Sequence, residues 1–478
     1  MDKVLTEILA NINCGGDREP PVLAAAERQA LLDEFHPDNQ SRGKETLSFG
    51  PNRGERVPGE LTAAIAAEEI YPQEIATVKT GLLVIGSGAA GISAALEAAG
   101  RGIKVLLATR DQAGSSNTVL AQGGMAVAVG VGDSPALHAE DTVRGGRSND
   151  HRLVEIMATE AQPVIRWLEE MGMIFDREAD NRYRLLPGGG HSKNRVLTRG
   201  GFIGPRIMRV LLGAVKKSSV ELRPFYRLVE LISEGERCRG AVFFSSSEGR
   251  YIRVEGGAVI LATGGSGGLK PFGLPTSNHK SIRGEGLSAA YRAGLKLLDM
   301  DASQFHPTGA LWPEPVRGML VSEGVRSLGA GLFNSLGRQF INPMETRDVV
   351  TAAIMAEVAG GRGIETPGGE SGVLLNTGVL SERVLSKSLG KIYRKLQGSG
   401  YNPRATPLVV GPLYHYQNGG LEIDGHGRTD LAGLWAAGEV TGGIHGKNRL
   451  GGNALTDAFV FGRRAGRDAA RFAAGGSR

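Results

Sequence analysis

The stretch HGKNRLGGNALTDAFVFG, His445 to Gly462, brings Arg449 and the glycine pair Gly451 and Gly452 to the mouth of an amphipathic helix carrying Leu455, Ala458 and Phe459. A guanidinium presents its donors as a planar fork that meets a carboxylate in two parallel bonds, a geometry lysine cannot copy. The glycines let the chain run close to a bound group, and Asn453 is the expected N-cap of a helix whose positive end then faces that group. Other chemically able side chains lie far apart in sequence. They are His306 in SQFHPTG, Ser322, Glu323 and Arg326 in VSEGVR, Arg347 in METRDVV, and His415 in YHYQNGG. Each has a plain structural reading as well. A histidine before proline is commonly a packed ring, and Glu323 with Arg326 at i, i+3 forms an ordinary surface pair contributing less than about 1 kcal/mol. Arg347 beside Asp348 suits a solvated helix start.

A second set of residues points to a nucleotide. In TGLLVIGSGAAGISAALEAAGRGIKVLLATR an apolar strand, a glycine loop, an alanine-rich helix and another apolar strand follow one another as a βαβ unit. Gly86, Gly88 and Gly91 have the GxGxxG spacing, with Ser87, Ala89 and Ala90 between them. Such glycines permit a tight turn and bring backbone amides at the helix start up to a pyrophosphate, although close helix–strand packing alone also selects them. The second strand ends at Thr109 and Arg110, where an acidic residue would hold the ribose of NAD, which argues against a standard NAD site.

The elements that must position these groups are spread over 478 residues, enough for two or three lobes. Residues 1–75 read as an N-terminal arm or extension, with one helix in VLAAAERQALLDEF and a strand–turn–strand in LSFGPNRGERVPGEL, packing on this chain or on a neighbour. Residues 76–270 form the first part of an α/β nucleotide-binding domain, 271–385 an inserted lobe punctuated by glycine and proline, and 386–478 the second part. Lys and Arg total 55 and Asp and Glu 50, scattered without blocks, so the net +5 offers weak attraction for anions and no nucleic-acid surface. Cys14 and Cys238 form no CxxC pair, so no iron–sulfur, haem or structural zinc site is expected from this chain. The first residues lack a basic segment followed by a long apolar run, and no later stretch stays apolar long enough for a bilayer; a cytoplasmic protein without direct membrane insertion is expected.

The βαβ unit, SSNTVLAQGGMAVAVG, VILATGG and GRTDLAGLWAAGEV together resemble the succinate dehydrogenase and fumarate reductase flavoprotein family, which includes L-aspartate oxidase; the resemblance runs from about Thr80 to Gly466. It implies an α/β (α+β) fold in which an FAD-binding domain with a parallel sheet is interrupted by a smaller capping domain. It implies FAD, with Ser116, Asn117, Thr118, Ala121, Gln122, Gly123 and Gly124 wrapping the isoalloxazine. Ala262, Thr263 and Gly264, then Gly438 and Glu439, and finally Asn453, Ala454 and Leu455 complete the cofactor set. Glu439 is expected at the adenosine ribose, and Glu285 in RGEG matches a flavin-contacting aspartate. Asn117 stands where membrane-bound members carry a histidine linked to the flavin, so non-covalent FAD is expected.

The same resemblance assigns the chemistry as hydride addition to the double bond of a dicarboxylate. Arg449 and His415 clamp one carboxylate and His306 and Ser322 the other; Arg347 delivers the proton, resupplied through Glu323 and Arg326. Fumarate and succinate are the first expected substrates. In L-aspartate oxidase a glutamate before GGHS reads the substrate ammonium; here LPGGGHSKNR places Gly188 there, which disfavours aspartate and is expected to open the pocket. The electron partner is expected to be a separate iron–sulfur or haem protein. The alternatives are an L-aspartate oxidase-like enzyme and a flavin electron-transfer subunit with a vestigial dicarboxylate site.

Overall fold

The apolar run Leu82 to Ile85 ends the strand Ala76–Ile85 and is buried throughout, as a strand covered on both faces must be. The computed structural model describes residues 1–14, 20–39, 43–67 and 69–475. Ala76–Ile85 lies inside a parallel array ordered Glu221–Pro224, Val105–Thr109, Ala76–Ile85 and Arg250–Leu261. Beyond Arg250–Leu261 the sheet continues antiparallel through Arg237–Ser245 and Tyr226–Glu234, while Leu434–Ala436 returns parallel to its last residues. The helix Ala89–Ala99 makes the crossover between Ala76–Ile85 and Val105–Thr109, as the βαβ reading requires.

The final helix, Asn453–Ala473, lies directly on Ala89–Ala99. A Cβ at Gly462 would stand 2.5 Å from the Ala90 carbonyl oxygen, and one at Gly466 2.4 Å from that of Ala94, so only glycine lets the two backbones touch. The expected N-cap is corrected here. Gly452, at φ 86°, occupies the cap, and Asn453 is the first helical residue. Its side-chain oxygen meets His138 Nε2 at 2.8 Å and its Nδ2 donates to Thr142 at 2.9 Å instead of capping.

The inserted lobe is a second, antiparallel sheet in the order Ser303–Trp312, Leu408–Gln417, Ser371–Leu375 and Leu332–Phe333, with Ile364–Glu365 paired to Ser371–Leu375. The helix Arg347–Ala359 packs on it. Its core also takes in Leu389, Ile392, Tyr393, Leu396, Leu408 and Val410, whereas Leu287, Leu295, Leu297 and Met300 belong to the core of the nucleotide-binding lobe. The boundaries expected at 271 and 386 therefore move to the neighbourhood of 303 and 417, because the lobe closes by pairing Ser303–Trp312 with Leu408–Gln417.

The first 75 residues bind their own chain, on both lobes. Leu5 and Ile8 of the helix Asp2–Cys14 pack with Leu311, Leu374 and Val409, and Leu32 of the helix Ala25–Phe35 joins the inserted lobe's core. Lys44–Thr46 pairs antiparallel with Arg56–Pro58, so the first strand of the expected strand–turn–strand lies before LSFGPNRGERVPGEL and only the second lies within it, and Leu61 and Ile65 of the helix Gly59–Ala66 enter the other core. Among the described residues no helix is long and apolar enough to cross a membrane, and no group of His, Cys, Asp or Glu could hold a metal ion.

Candidate active site

A cleft of about 1610 Å³ runs from the end of Val105–Thr109 to the seam between the lobes. Its wall begins at Gly86, where a positive φ of 113° and the 2.1 Å that would separate a Cβ from the Ala262 oxygen leave room for glycine alone. Ser87, Gly88, Ala89 and Ala90 continue it at the helix start, so the helix's positive end faces the cleft, and the Ala89 amide donates to Thr118 Oγ1 at 3.0 Å. Gly91 is not on the wall: its Cβ would fall 1.8 Å from the Gly86 oxygen, so it serves the close packing of turn and helix. Thr109 and Arg110 close this end, and the carboxylate absent from their strand arrives from Glu285, ion-paired with Arg110.

Farther along, Ser116, Asn117, Thr118, Ala121, Gln122, Gly123 and Gly124 line one side and Ala262, Thr263 and Gly264 another. Gly438, Glu439, Ala454 and Leu455 complete it, but Asn453 does not reach it. Glu439 accepts from Asn117 Nδ2 at 3.0 Å and from the Gln417 amide at 3.1 Å, and its field reaches Arg449. Burial raises its carboxyl against those two hydrogen bonds. Thr263 Oγ1 and Ser116 Oγ are buried without a partner, as atoms waiting for a polar ligand would be.

At the seam, His306, Ser322, Glu323, Arg347, His415 and Arg449 all line the cleft. His306 and His415 come from the paired strands Ser303–Trp312 and Leu408–Gln417, their rings 5.3 Å apart and nearly perpendicular. Burial first, then the fields of Arg347 and Arg449, holds both well below the usual histidine pKa, so both are neutral donors or acceptors. His415 Nδ1 contacts Ser277 Oγ at 2.7 Å.

Arg449 and Arg347 meet at one atom. Gln304 Oε1 accepts from Arg449 Nη2 at 2.7 Å and from Arg347 Nη1 at 3.0 Å, while Gln304 Nε2 donates to the Arg449 carbonyl at 2.6 Å and to Asn448 Oδ1 at 3.1 Å. Arg449 lies 4.3 Å over the Tyr416 ring, and its Nε is buried without a partner. Its acceptors are the neutral oxygens of Gln304 and Leu450; among the described residues it forms no ion pair. Burial, then repulsion from Arg347, lowers its pKa to about 10.

Arg347, by contrast, has a carboxylate. Glu323 Oε2 accepts from Arg347 Nε at 2.8 Å, Glu323 Oε1 accepts from the Gly189 amide at 2.8 Å, and Arg326 Nη2 stands 3.7 Å from Glu323 Oε2. Burial works to raise the Glu323 carboxyl, but Arg347, Arg326 and these bonds together hold it far below the carboxylate range. Arg326 lies behind the cleft wall, 2% exposed, and is lowered to about 10 by burial against the pull of Glu323. The surface ion pair and the solvated helix start are thus excluded for these residues, and Asp348 is itself buried against Arg147 at 2.7 Å.

Gly188 does not open the cleft. A Cβ there would lie 2.7 Å from the His191 ring and 3.2 Å from Val196, away from the lining. Gln304, Tyr416 and Ser277 escape a reading of the sequence. Gln304 and Tyr416 sit inside SQFHPTG and YHYQNGG, close beside the two histidines, and nothing in their spacing shows that an arginine folds against each. His445 and Lys447 also have partners: Asp457 at 3.3 Å for the ring, and Asp299 and Asp301 at 2.9 Å for the ammonium.

A parallel sheet with a glycine turn at a helix start, a long cleft and an inserted lobe closing over one end is the layout of a dinucleotide-binding flavoprotein with a cap. The FAD binding domain family matches residues 81–455. The chain belongs to this family, in the branch of the succinate dehydrogenase and fumarate reductase flavoproteins. It is 39% identical to the A subunit of the fumarate reductase (CoM/CoB) of Methanothermobacter marburgensis over 83% of this chain and 73% of that one. It is 35% identical to the L-aspartate oxidase of Caulobacter vibrioides over 82% and 76%. Among solved structures, FrdA of E. coli quinol fumarate reductase superposes with a TM-score of 0.79 at 29% identity, covering 84% of this chain and 72% of that one. Sdh1 of Mycobacterium smegmatis gives 0.71 at 36% identity, over 84% and 70%. FAD is the cofactor of this family, and the glycine cradle and partnerless hydroxyls of the cleft fit it.

Proposed function

We propose that the chain is an FAD-dependent oxidoreductase interconverting fumarate and succinate, or a closely similar dicarboxylate, and that Arg347 is the proton donor. One observation carries the reading: Arg449 is a buried guanidinium with no acidic partner among the described residues, aimed into the cleft and sharing an acceptor with a second guanidinium. An unpaired buried cation costs several kcal/mol, which a bound carboxylate offsets. The fumarate reductase name of a relative at 39% identity supports the same substrate class.

FAD, when bound, supplies the hydride chemistry at N5. The chain's own residues do the rest. Arg449 and His415 bind one carboxylate, and His306 and Ser322 the other, drawing the double bond flat within the cleft. Arg347 then donates a proton from its guanidinium to the substrate carbon. A guanidine that has lost a proton is a strong base and is reprotonated through Glu323: the ionised carboxylate, hydrogen-bonded to Arg347 Nε, takes a proton from the neighbouring buried Arg326 as it passes one to Arg347, and Arg326 in turn recovers its proton from solvent. Closure of the cap excludes water. Asn117 has no nucleophilic nitrogen, so FAD is held without a covalent bond. Electrons come from a separate iron–sulfur or haem protein, a reading supported by the cysteine count of two.

The test is steady-state turnover of FAD-loaded protein with fumarate and a reduced dye, beside aspartate with oxygen. Fumarate reduction is the expected result. Turnover of aspartate alone overturns the assignment.

A further inference from the structure

The first 75 residues lie outside the FAD-binding family match at 81–455, yet part of them grips the root of the strand that carries Gln304 and His306. We infer that Asp38 and Lys44 are positioning residues for the diacid clamp, holding residues 299–304 against residues 445–449 so that Gln304, His306 and Arg449 keep their relative places. This rests on the dicarboxylate reading above.

The tie is built in layers. Asp38 Oδ2 accepts from the Ser303 amide at 2.7 Å. Lys44, with a buried side chain, donates to the Asp38 and Asp301 carbonyls and lies 3.6 Å from Asp301 Oδ2. The other oxygen of Asp301 holds Lys447 at 2.9 Å, two residues before Arg449. Asn418 bridges the same pair of segments, its amide donating to the Ala302 carbonyl at 2.9 Å and its Nδ2 to that of Lys447 at 3.0 Å. Gln304 is the innermost layer, bonded to Asn448 and to the Arg449 carbonyl while its oxygen fixes both guanidiniums. Asp301 is thus shared between Lys44 of the extension and Lys447 of the Arg449 segment. Removing Lys44 leaves the Asp38 and Asp301 carbonyls that it bridges without their shared donor and Asp301 with Lys447 alone, and removing the Asp38 side chain leaves the Ser303 amide unpaired, which loosens the root of the strand. Burial pushes the Asp38 carboxyl up to about 8, so a neutral amide of the same shape is the fitting conservative replacement.

Leu5 provides the contrast. It is fully buried against the cap but touches none of these ties. The experiment compares FAD-loaded wild type, Lys44→Ala, Asp38→Ala, Asp38→Asn and Leu5→Ala. Fumarate affinity is read from the change in flavin absorption, and hydrogen exchange is followed in peptides covering 299–306 and 445–450 without ligand. We expect Lys44→Ala and Asp38→Ala to weaken fumarate binding about tenfold, or about 1.4 kcal/mol, and to exchange faster in both segments. Asp38→Asn should restore both readouts, and Leu5→Ala should lower the melting temperature while leaving both unchanged. Wild-type affinity and exchange in Lys44→Ala, or equal weakening in Leu5→Ala, overturns the inference. Should wild type bind no diacid, the dicarboxylate reading fails, and unchanged exchange in the two segments would then still count separately against the tie.

Discussion

A charge that is buried for a ligand's sake costs the free protein stability, and Arg449 has the marks of one. We expect Arg449→Ala to melt no lower than the parent in the FAD-loaded protein, because it removes an uncompensated cation, while losing the diacid-induced change in flavin absorption. Arg449→Lys should not restore that change, since a point charge cannot reproduce the fork. Arg347 is already neutralised by Glu323, so its removal should leave diacid binding nearly intact and lower turnover by about 10²–10⁴-fold, the range of a positioned proton donor. Loss of binding without a matching loss of turnover in Arg347→Ala would refute its role. The two arginines therefore separate ground-state binding from proton delivery, and flavin titration beside steady-state kinetics reads the separation directly.

Between elements, the decisive contacts are those where a side chain has no room. Gly462 and Gly466 seat the last helix on Ala89–Ala99, whose start lines the cleft. Gly462→Ala should cost about 1–3 kcal/mol by forcing the helices apart, visible as a lower melting temperature with reduced FAD content. The loop at Gly188 behaves similarly. His191 Nε2 contacts the Gly451 carbonyl at 2.8 Å, and a side chain at Gly188 would push on that ring. Gly188→Glu should therefore not create aspartate oxidation, measured as oxygen uptake, and should weaken diacid binding by displacing the Arg449 segment through His191. Gain of aspartate turnover in that variant would show that the loop is free to reshape.

The whole molecule buries an unusual set of neutral imidazoles. Burial lowers His36 to about 4 and His138 to about 3, and lowers His191, His306, His415 and His445 as well. The folded protein thus binds protons less readily than the unfolded chain, whose histidines titrate near 6.5. Stability is therefore undiminished above that value and is lost as pH falls toward the folded values, by about 2 kcal/mol at pH 5 for each ring still neutral there. Thermal melts should accordingly fall between pH 7 and pH 5. Constant stability across that window would contradict buried, neutral histidines. The extension adds a second molecule-wide constraint, since it packs into the cores of both lobes.

The sequence alone determined what is local: the βαβ unit and its turn, whose Gly91 answers to the Gly86 oxygen five residues away, whereas most of the residues that line the cleft were named by resemblance to a family and not by their spacing. Tertiary structure decided what depends on segments far apart. Glu285 reaches Arg110 across more than one lobe's worth of chain, Gln304 acquires its meaning only when two arginines converge on its oxygen, and Asn453 loses its capping role to His138 and Thr142. The lobe boundaries moved because a strand pair, not a change in composition, closes the cap. Spacing and residue type fix short-range geometry, whereas the charge a buried group must answer is set by whichever distant segment folds against it.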